Sequence, residues 1–287
     1  MTTDPSMSEI QPLISFVTPT LNSAATVADT IASVERQAVG FAYEHIFIDG
    51  GSSDGTLELI RNLKGRNALL TSEVDKGVYD AMNKGIRQAR GEWVAIINSD
   101  DYYLPGAVAE MLKAARANPT ANVLYGDIVM REGRKEWVAT PGLGWRSRLG
   151  IIHHMWWRGR LGILHPMWHP AMWARRAVYQ RHGPYSTRYK LASDQDMFFR
   201  LLDGRETCLY VPKPITLMRI GGLGCRYDCT FELLDIHSSR QSLSGLAAHI
   251  LFYRQSRLRN HKEVPAGRSY WLWALNDFLS RRFGASS

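Results

Sequence analysis

The sequence predicts an α/β fold: a mostly parallel central sheet with helices on both faces, followed by a C-terminal helical extension. Short apolar runs of strand length alternate with amphipathic stretches of helix length through the first half, the pattern of a parallel sheet with crossover helices. Several of these runs end in turn signals: Thr18-Pro19-Thr20, Asp49-Gly50-Gly51 and Asn98-Ser99-Asp100-Asp101. Beyond Gly224 the strand signals stop, and two or three helical stripes rich in Arg, Trp and Phe follow.

Taken in order, Leu13–Val17 is the first strand, and Ala24–Ala38 follows as a helix with Val27, Ile31 and Val34 on one face. Tyr43–Ile48 is a strand, Thr56–Leu63 a helix, Ala68–Thr71 a short strand and Val78–Ala89 a helix. Trp93–Ile97 is an unbroken apolar run of the kind buried in parallel sheets. A helix is expected from Pro105 to Asn118 and a strand at Val123–Tyr125. Pro141–Pro170 is dense in Gly, Trp, His and Arg without periodicity, and reads as a long loop or flap. Ala171–His182 reads as a helix closed by Gly183-Pro184. Asp194–Leu202 is a further helix and Thr207–Val211 a strand.

At 287 residues, 45% hydrophobic and 22% charged, the chain has the size and composition of a folded globular protein. Three cysteines make no disulfide framework, which points to a reducing cytoplasm. Cys225 and Cys229 lack the partners of a zinc site and read as structural thiols. Met1–Gln11 is polar and acidic, unlike a signal peptide, and is expected to be a loose tail. No run of eighteen apolar residues suggests a transmembrane helix. The net charge of +8 is concentrated after Arg131 and interleaved with Trp, which suits a phosphate-rich partner: a nucleotide or anionic lipid ahead of nucleic acid, whose binding signatures are absent.

Asp100 and Asp101 follow a buried strand at the edge where open α/β sheets place ligands. Carboxylates there suit Mg²⁺ or Mn²⁺ shared with a diphosphate; helix capping is the structural alternative. Asp49, Glu73/Asp75 and Asp194 fall at other strand ends or the loops beyond them. Like charges gathered without a partner are unfavourable, so a cation and a polyhydroxyl ligand are the expected compensation. Asp54 reads as a structural cap. Neither a phosphate-binding Gly-x-x-x-x-Gly-Lys-Ser/Thr loop nor Gly-x-Gly-x-x-Gly occurs.

Pro19-Thr-Leu-Asn22, Ile48-Asp-Gly-Gly-Ser-Ser-Asp-Gly-Thr56, Ser72-Glu-Val-Asp-Lys-Gly-Val-Tyr-Asp-Ala-Met-Asn-Lys-Gly85 and Asn98-Ser-Asp-Asp101 occur in this order. Together they resemble the family 2 glycosyltransferases with the GT-A, Rossmann-like fold, and within them the bacterial enzymes of exopolysaccharide and O-antigen assembly (the colanic-acid type). The similarity spans residues 12 to 220. It implies an inverting, metal-dependent transfer from a UDP- or GDP-sugar to a saccharide or polyprenyl-diphosphate-linked saccharide. The domain so implied comprises a nucleotide-sugar half at 12–128 and an acceptor half at 129–220 holding the flap; residues 221–287 form the extension.

Carried over by motif, the resemblance places Thr18, Pro19 and Asn22 in a loop around the nucleotide. Asp49 would contact the base, and Asp75 with Lys76 would line the base and ribose pocket. Asn98-Ser99-Asp100 stands at the family's Asp-x-Asp position, with Asn98 replacing the first Asp. Asp100 would be the metal ligand and Asp101 a support or second ligand. Asp194 matches the catalytic base, with Ser193 where an acid usually precedes it, and Asp196 braces its helix. Inversion needs such a carboxylate to take the acceptor's proton, and the cation stabilises the leaving diphosphate. His169 would touch the diphosphate or metal, or be structural, and Arg219 would reach the diphosphate. His153, His154 and His165 with Trp156, Trp157 and Trp168 suggest a sugar-stacking lid, or a His-rich metal site.

The stripes Leu246–Arg254 and Tyr270–Phe283 fit packing against the domain, and equally peripheral docking at the cytoplasmic face of a membrane. Two rival functions remain at this point. A nucleotidyltransferase should carry a Gly-rich basic loop after the first strand, where Thr18–Asn22 stands instead. A degenerate sugar-nucleotide-binding scaffold would fit Asn98.

Overall fold

The computed structural model describes residues 11–65, 67–141 and 167–221, with 232, 235 and 236. The sheet lies in a compact unit comprising Met1–Pro141 and Met167–Cys225. The element order begins β1 (Ile14–Thr20), α1 (Val27–Gln37), β2 (Tyr43–Asp49), α2 (Thr56–Leu63), β3 (Ala68–Ser72), α3 (Val78–Gln88) and β4 (Trp93–Ile96). It continues β5 (Tyr102–Tyr103), α4 (Ala107–Ala117), β6 (Val123–Glu132), β7 (Lys135–Ala139), β8 (Met172–Arg175), α5 (Arg176–His182), α6 (Ser193–Asp203) and β9 (Cys208–Arg219). Among the described residues the strands form one sheet in the order β3-β2-β1-β4-β8-β6-β9-β5, with β7 paired to β6.

β3, β2, β1 and β4 are mutually parallel, as are β6 and β9. The expected parallel half is therefore present, and its strand ends point to one rim. Three antiparallel strands were not expected as such. β5 pairs with β9, β7 makes a hairpin with β6, and β8 lies between β4 and β6, antiparallel to both. The sequence expectation of one helix over Ala171–His182 is thereby corrected. His169–Ala171 is a short 3-10 turn, Met172–Arg175 is strand, and only Arg176–His182 is α-helical. Met172, Trp173 and Ala174 are buried in this strand, which supplies hydrogen-bond partners to two neighbours that local propensity does not register.

α1 buries Val27, Ile31 and Val34, the i, i+4, i+7 stripe of a core-facing helix. The main core joins Ile14, Phe16, Trp93, Tyr103, Met111 and Trp173. Phe16 meets Trp173 edge-on, with centroids 6.1 Å apart and planes at 84°, a favoured aromatic geometry. Trp168, expected in a lid, packs partly buried against this core. The β6–β9 register shifts at Gly126 and Asp127, opposite Pro212 and Pro214, residues that strands accommodate at such irregularities. A Cβ on Gly126 would meet Ile215 Cγ1 at 2.4 Å and Lys213 O at 2.9 Å, so only glycine fits.

His45 is completely buried in β2, its Nε2 2.9 Å from Thr18 Oγ1 and its Nδ1 without a partner. Burial lowers its pKa from 6.5 to about 3. The folded chain thus holds His45 neutral where the unfolded chain would protonate it. Its contribution is fully present above pH 6.5 and is lost as pH falls toward 3. Thermal denaturation should show the wild-type chain losing about 2 kcal/mol more than His45→Gln between about pH 6.5 and 5. Equal losses in the two proteins would contradict this assignment.

Candidate active site

The rim of the sheet is built from loops tied to one another by side chains. β1 continues through Thr20, so Thr18 and Pro19 are buried strand residues and not part of the expected nucleotide loop. Asn22 lies in that loop with φ of 49°, a left-handed conformation Asn tolerates better than most residues. Its N–H donates to Ser52 Oγ at 2.8 Å, and its Oδ1 accepts the Ser53 N–H at 3.0 Å. Ser23, next along, places its hydroxyl 2.7 Å from that of Ser99. The loops after β1, β2 and β4 are thus in direct contact.

Asp49 is fully buried at the end of β2. Its Oδ2 accepts the N–H groups of Gly51 and Ser52, both at 3.0 Å, and the Ser72 hydroxyl at 2.8 Å; its Oδ1 accepts the Ser52 hydroxyl. Burial by itself would raise its pKa, but the donors from Ser52, Ser72 and Gly51 hold it below the usual carboxylate value. A carboxylate has about four acceptor positions, and here they anchor the glycine-rich loop. Asp54 accepts from the Thr56 and Ala24 N–H groups, as a structural residue should. Asp75 accepts the Gly77 N–H at 2.8 Å and lies against Gly50, where a Cβ would come within 2.5 Å of its Oδ2. Lys76 is exposed beside it, its N–H donating to Asp80.

Asn98, Ser99, Asp100 and Asp101 form the turn after β4. Asp101 is buried, accepting from Asn98 Nδ2 at 3.0 Å and from the Arg219 N–H at 3.2 Å. Both of its oxygens are engaged from within. Asp100 differs. Among the described residues no other group donates to its carboxylate, which is half-buried. Burial raises its pKa, opposed by the nearby Arg219 and His169; burial and the neighbouring Asp100 raise Asp101 further. A half-buried carboxylate lacking a paired donor fits a divalent cation. No group of three or more His, Cys, Asp or Glu among the described residues forms a closed metal cage, so a cation there would complete its shell with ligand oxygens and water.

Arg219 closes the far side. Its Nη1 donates to Asp100 O at 2.7 Å, its Nη2 to Asp29 Oδ2 at 2.5 Å, and the guanidinium lies over the Tyr102 ring. It clamps the acidic turn from this side. His169 places Nε2 3.2 Å from Asn98 Oδ1 and Nδ1 3.7 Å from Asp194 Oδ2. Asp194, in the first turn of α6, accepts the Gln195 N–H at 2.8 Å and lies 3.4 Å from the Tyr79 hydroxyl. Asp196 braces the helix through Arg200.

The long motif on α3 explains how Asp194 reaches this rim. Tyr79 donates to Leu191 O at 2.9 Å. Asn83 donates to Tyr185 O at 2.7 Å and accepts the Tyr185 N–H at 2.9 Å. Gly85 allows the helix to sit on β1, since a Cβ there would meet Val17 Cγ1 at 2.2 Å. α3 therefore grips residues 185–194, more than a hundred positions on. Read as sequence, the motif assigns no role to Tyr79 or Asn83, nor does position along the chain to Asp29, the partner of Arg219. The signal was a tyrosine and an asparagine at i, i+4 on an otherwise apolar helix face. His153, His154, His165, Trp156, Trp157, Cys225, Cys229 and the C-terminal stripes lie outside the described residues.

The model of the family described as Glycosyl transferase family 2 matches residues 15–183. A PGL/p-HBAD biosynthesis glycosyltransferase of Mycobacterium bovis is 31% identical over 194 residues, covering 66% of this chain and 69% of that protein. Among solved structures, S. aureus TarS in complex with UDP is similar with a TM-score of 0.66 at 19% identity, over 93% of this chain and 80% of that one. The mannosyltransferase PcManGT from Pyrobaculum calidifontis, in complex with GDP-Man and Mn²⁺, gives a TM-score of 0.56 at 18% identity, over 97% and 77%. The architecture is that of the GT-A fold.

Gly85→Ala should destabilise the chain by about 1–3 kcal/mol in urea denaturation, overpacking exceeding the gain in helix propensity. Adding Val17→Ala should recover part of the loss. A neutral Gly85→Ala, or a double variant no better than the single, would contradict the packing read here.

Proposed function

Because the chain belongs to glycosyl transferase family 2, and is thus a glycosyltransferase, we propose an inverting transfer from a UDP- or GDP-sugar to a saccharide or polyprenyl-diphosphate-linked saccharide. The observation that supports it most is the contrast among the rim acids. Asp49 and Asp101 are engaged from within, whereas Asp100 has no donor beyond its own residue among those described. Asp194, partly exposed, is joined to the same turn through His169 and Asn98.

In this reading Asp194 accepts the acceptor's hydroxyl proton as that oxygen attacks the anomeric carbon. The bond to the diphosphate breaks on the opposite face, which inverts the configuration. Asp100 would hold Mn²⁺ or Mg²⁺, and the cation when bound would stabilise charge on the departing diphosphate. Arg219 fixes the Asp100 backbone, and Asp101 holds the turn from beneath. The half-exposed Asp75 and the exposed Lys76 border the loop anchored by Asp49, where the nucleoside would lie. The nucleotide-bound structures of TarS and PcManGT support a donor of this class. Residues 12–128 would form the donor half and 129–220 the acceptor half, with 221–287 an extension that docks the enzyme at the cytoplasmic face of a membrane. No helix among the described residues is long and apolar enough to cross one.

Transfer assayed with UDP- and GDP-sugars should collapse in EDTA and in Asp100→Ala; full activity in either would remove the cation from Asp100. Asp194→Asn should lower kcat by about 10²–10⁴-fold while nucleotide affinity is retained. An unchanged kcat would remove the base assignment.

A further inference from the structure

A line of polar contacts runs from Asp101 through Asn98 and His169 to Asp194. The buried Asp101 offers acceptors, so Asn98 turns its amide nitrogen to Asp101 Oδ2 at 3.0 Å. Its carbonyl oxygen is then the atom 3.2 Å from His169 Nε2. A carbonyl has no proton to give, so Nε2 carries one, and Nδ1 is the nitrogen left 3.7 Å from Asp194 Oδ2.

We propose that His169 is a positioning residue for Asp194, locked by Asn98 and completed by the reaction itself; the proposal rests on Asp194 being the general base. Before transfer, Nδ1 lies 3.7 Å from Asp194 Oδ2, beyond hydrogen-bond reach. In the transfer the acceptor's O–H bond breaks, its oxygen bonds to the anomeric carbon, and the diphosphate leaves with the electron pair of the broken C–O bond. The proton ends on Asp194. A small side-chain rotation then lets the new carboxylic O–H donate to Nδ1. An interaction that forms as the barrier is crossed raises kcat without tightening donor binding.

The same line accounts for asparagine at position 98, where the family motif has Asp. An aspartate would have no donor for Asp101 and would set a second carboxylate against it. A carboxamide donates from its nitrogen on one side and accepts with its oxygen on the other.

The test combines kinetics with calorimetric UDP and GDP binding for His169→Gln, Asn98→Leu and the double variant. Each single change should lower kcat about 10- to 100-fold. Nucleotide Kd should stay within about two-fold, and the double variant should be no slower than His169→Gln, because the two residues act as one unit. An unchanged kcat in His169→Gln, or a Kd that weakens in proportion to the lost kcat, would overturn the proposal. Histidine-selective ¹⁵N NMR of the full chain reads the same geometry without turnover. The His169 proton should reside on Nε2, and Asp194→Asn should move the Nδ1 resonance. A proton on Nδ1 with Nε2 bare would overturn the proposal even in a chain that transfers sugar. Correct NMR behaviour in a chain that transfers none would instead locate the failure in the assigned function.

Discussion

Internal engagement of acidic side chains is the constraint on which the rest of the rim depends. Loops leaving parallel strands carry backbone N–H groups that no ladder satisfies, and here carboxylates accept them. Asp49 gathers the loop after β2, Asp54 ties the start of α2 to the loop after β1, and Asp101 anchors the turn after β4 to β9. Because these groups face inward, the acids that remain at the surface of the crevice are few. That division separates Asp100 and Asp194 from their neighbours far more sharply than sequence position does.

The second half of the domain is carried to the rim by the first. Tyr79 and Asn83 bond to the backbone around Tyr185 and Leu191, and Tyr79 and Tyr185 stack with centroids 5.5 Å apart. These contacts make α3 the support of the segment that presents Asp194. A helix whose motif the resemblance places on the donor side thus also supports the segment that presents Asp194. β8 performs the complementary task, bridging β4 and β6 so that His169, just before it, faces the Asn98 turn.

Much of this was legible in the sequence. Alternating apolar runs and helical stripes located β1 to β4 and α1 to α4 to within a few residues, and the turn after β4 was identified from its acids alone. What escaped was set by partners distant in the chain. Met172-Trp173-Ala174-Arg175 has no local strand signal strong enough to oppose its helical surroundings, and it becomes strand because two edges await it. The long β6–β7 hairpin was likewise invisible beyond Tyr125, where exposed charged residues mask the pairing. Among site residues, motif position was a sound guide to proximity and silent on hydrogen-bond partners. Asp49, Asp101, Thr18 and Arg219 all lie where expected along the chain, yet their side chains are turned to the protein. Only the surrounding donors, which a single sequence does not reveal, decide that orientation.

The division between inward-facing and available acids is tested most directly by anomalous diffraction from crystals grown with Mn²⁺ and UDP. The account predicts a manganese peak within coordination distance of the Asp100 carboxylate, about 2.0–2.2 Å as for a small hard cation, with Asp49 and Asp101 still bonded to their loops. A peak held by Asp49 or Asp101, with Asp100 turned away, would contradict it.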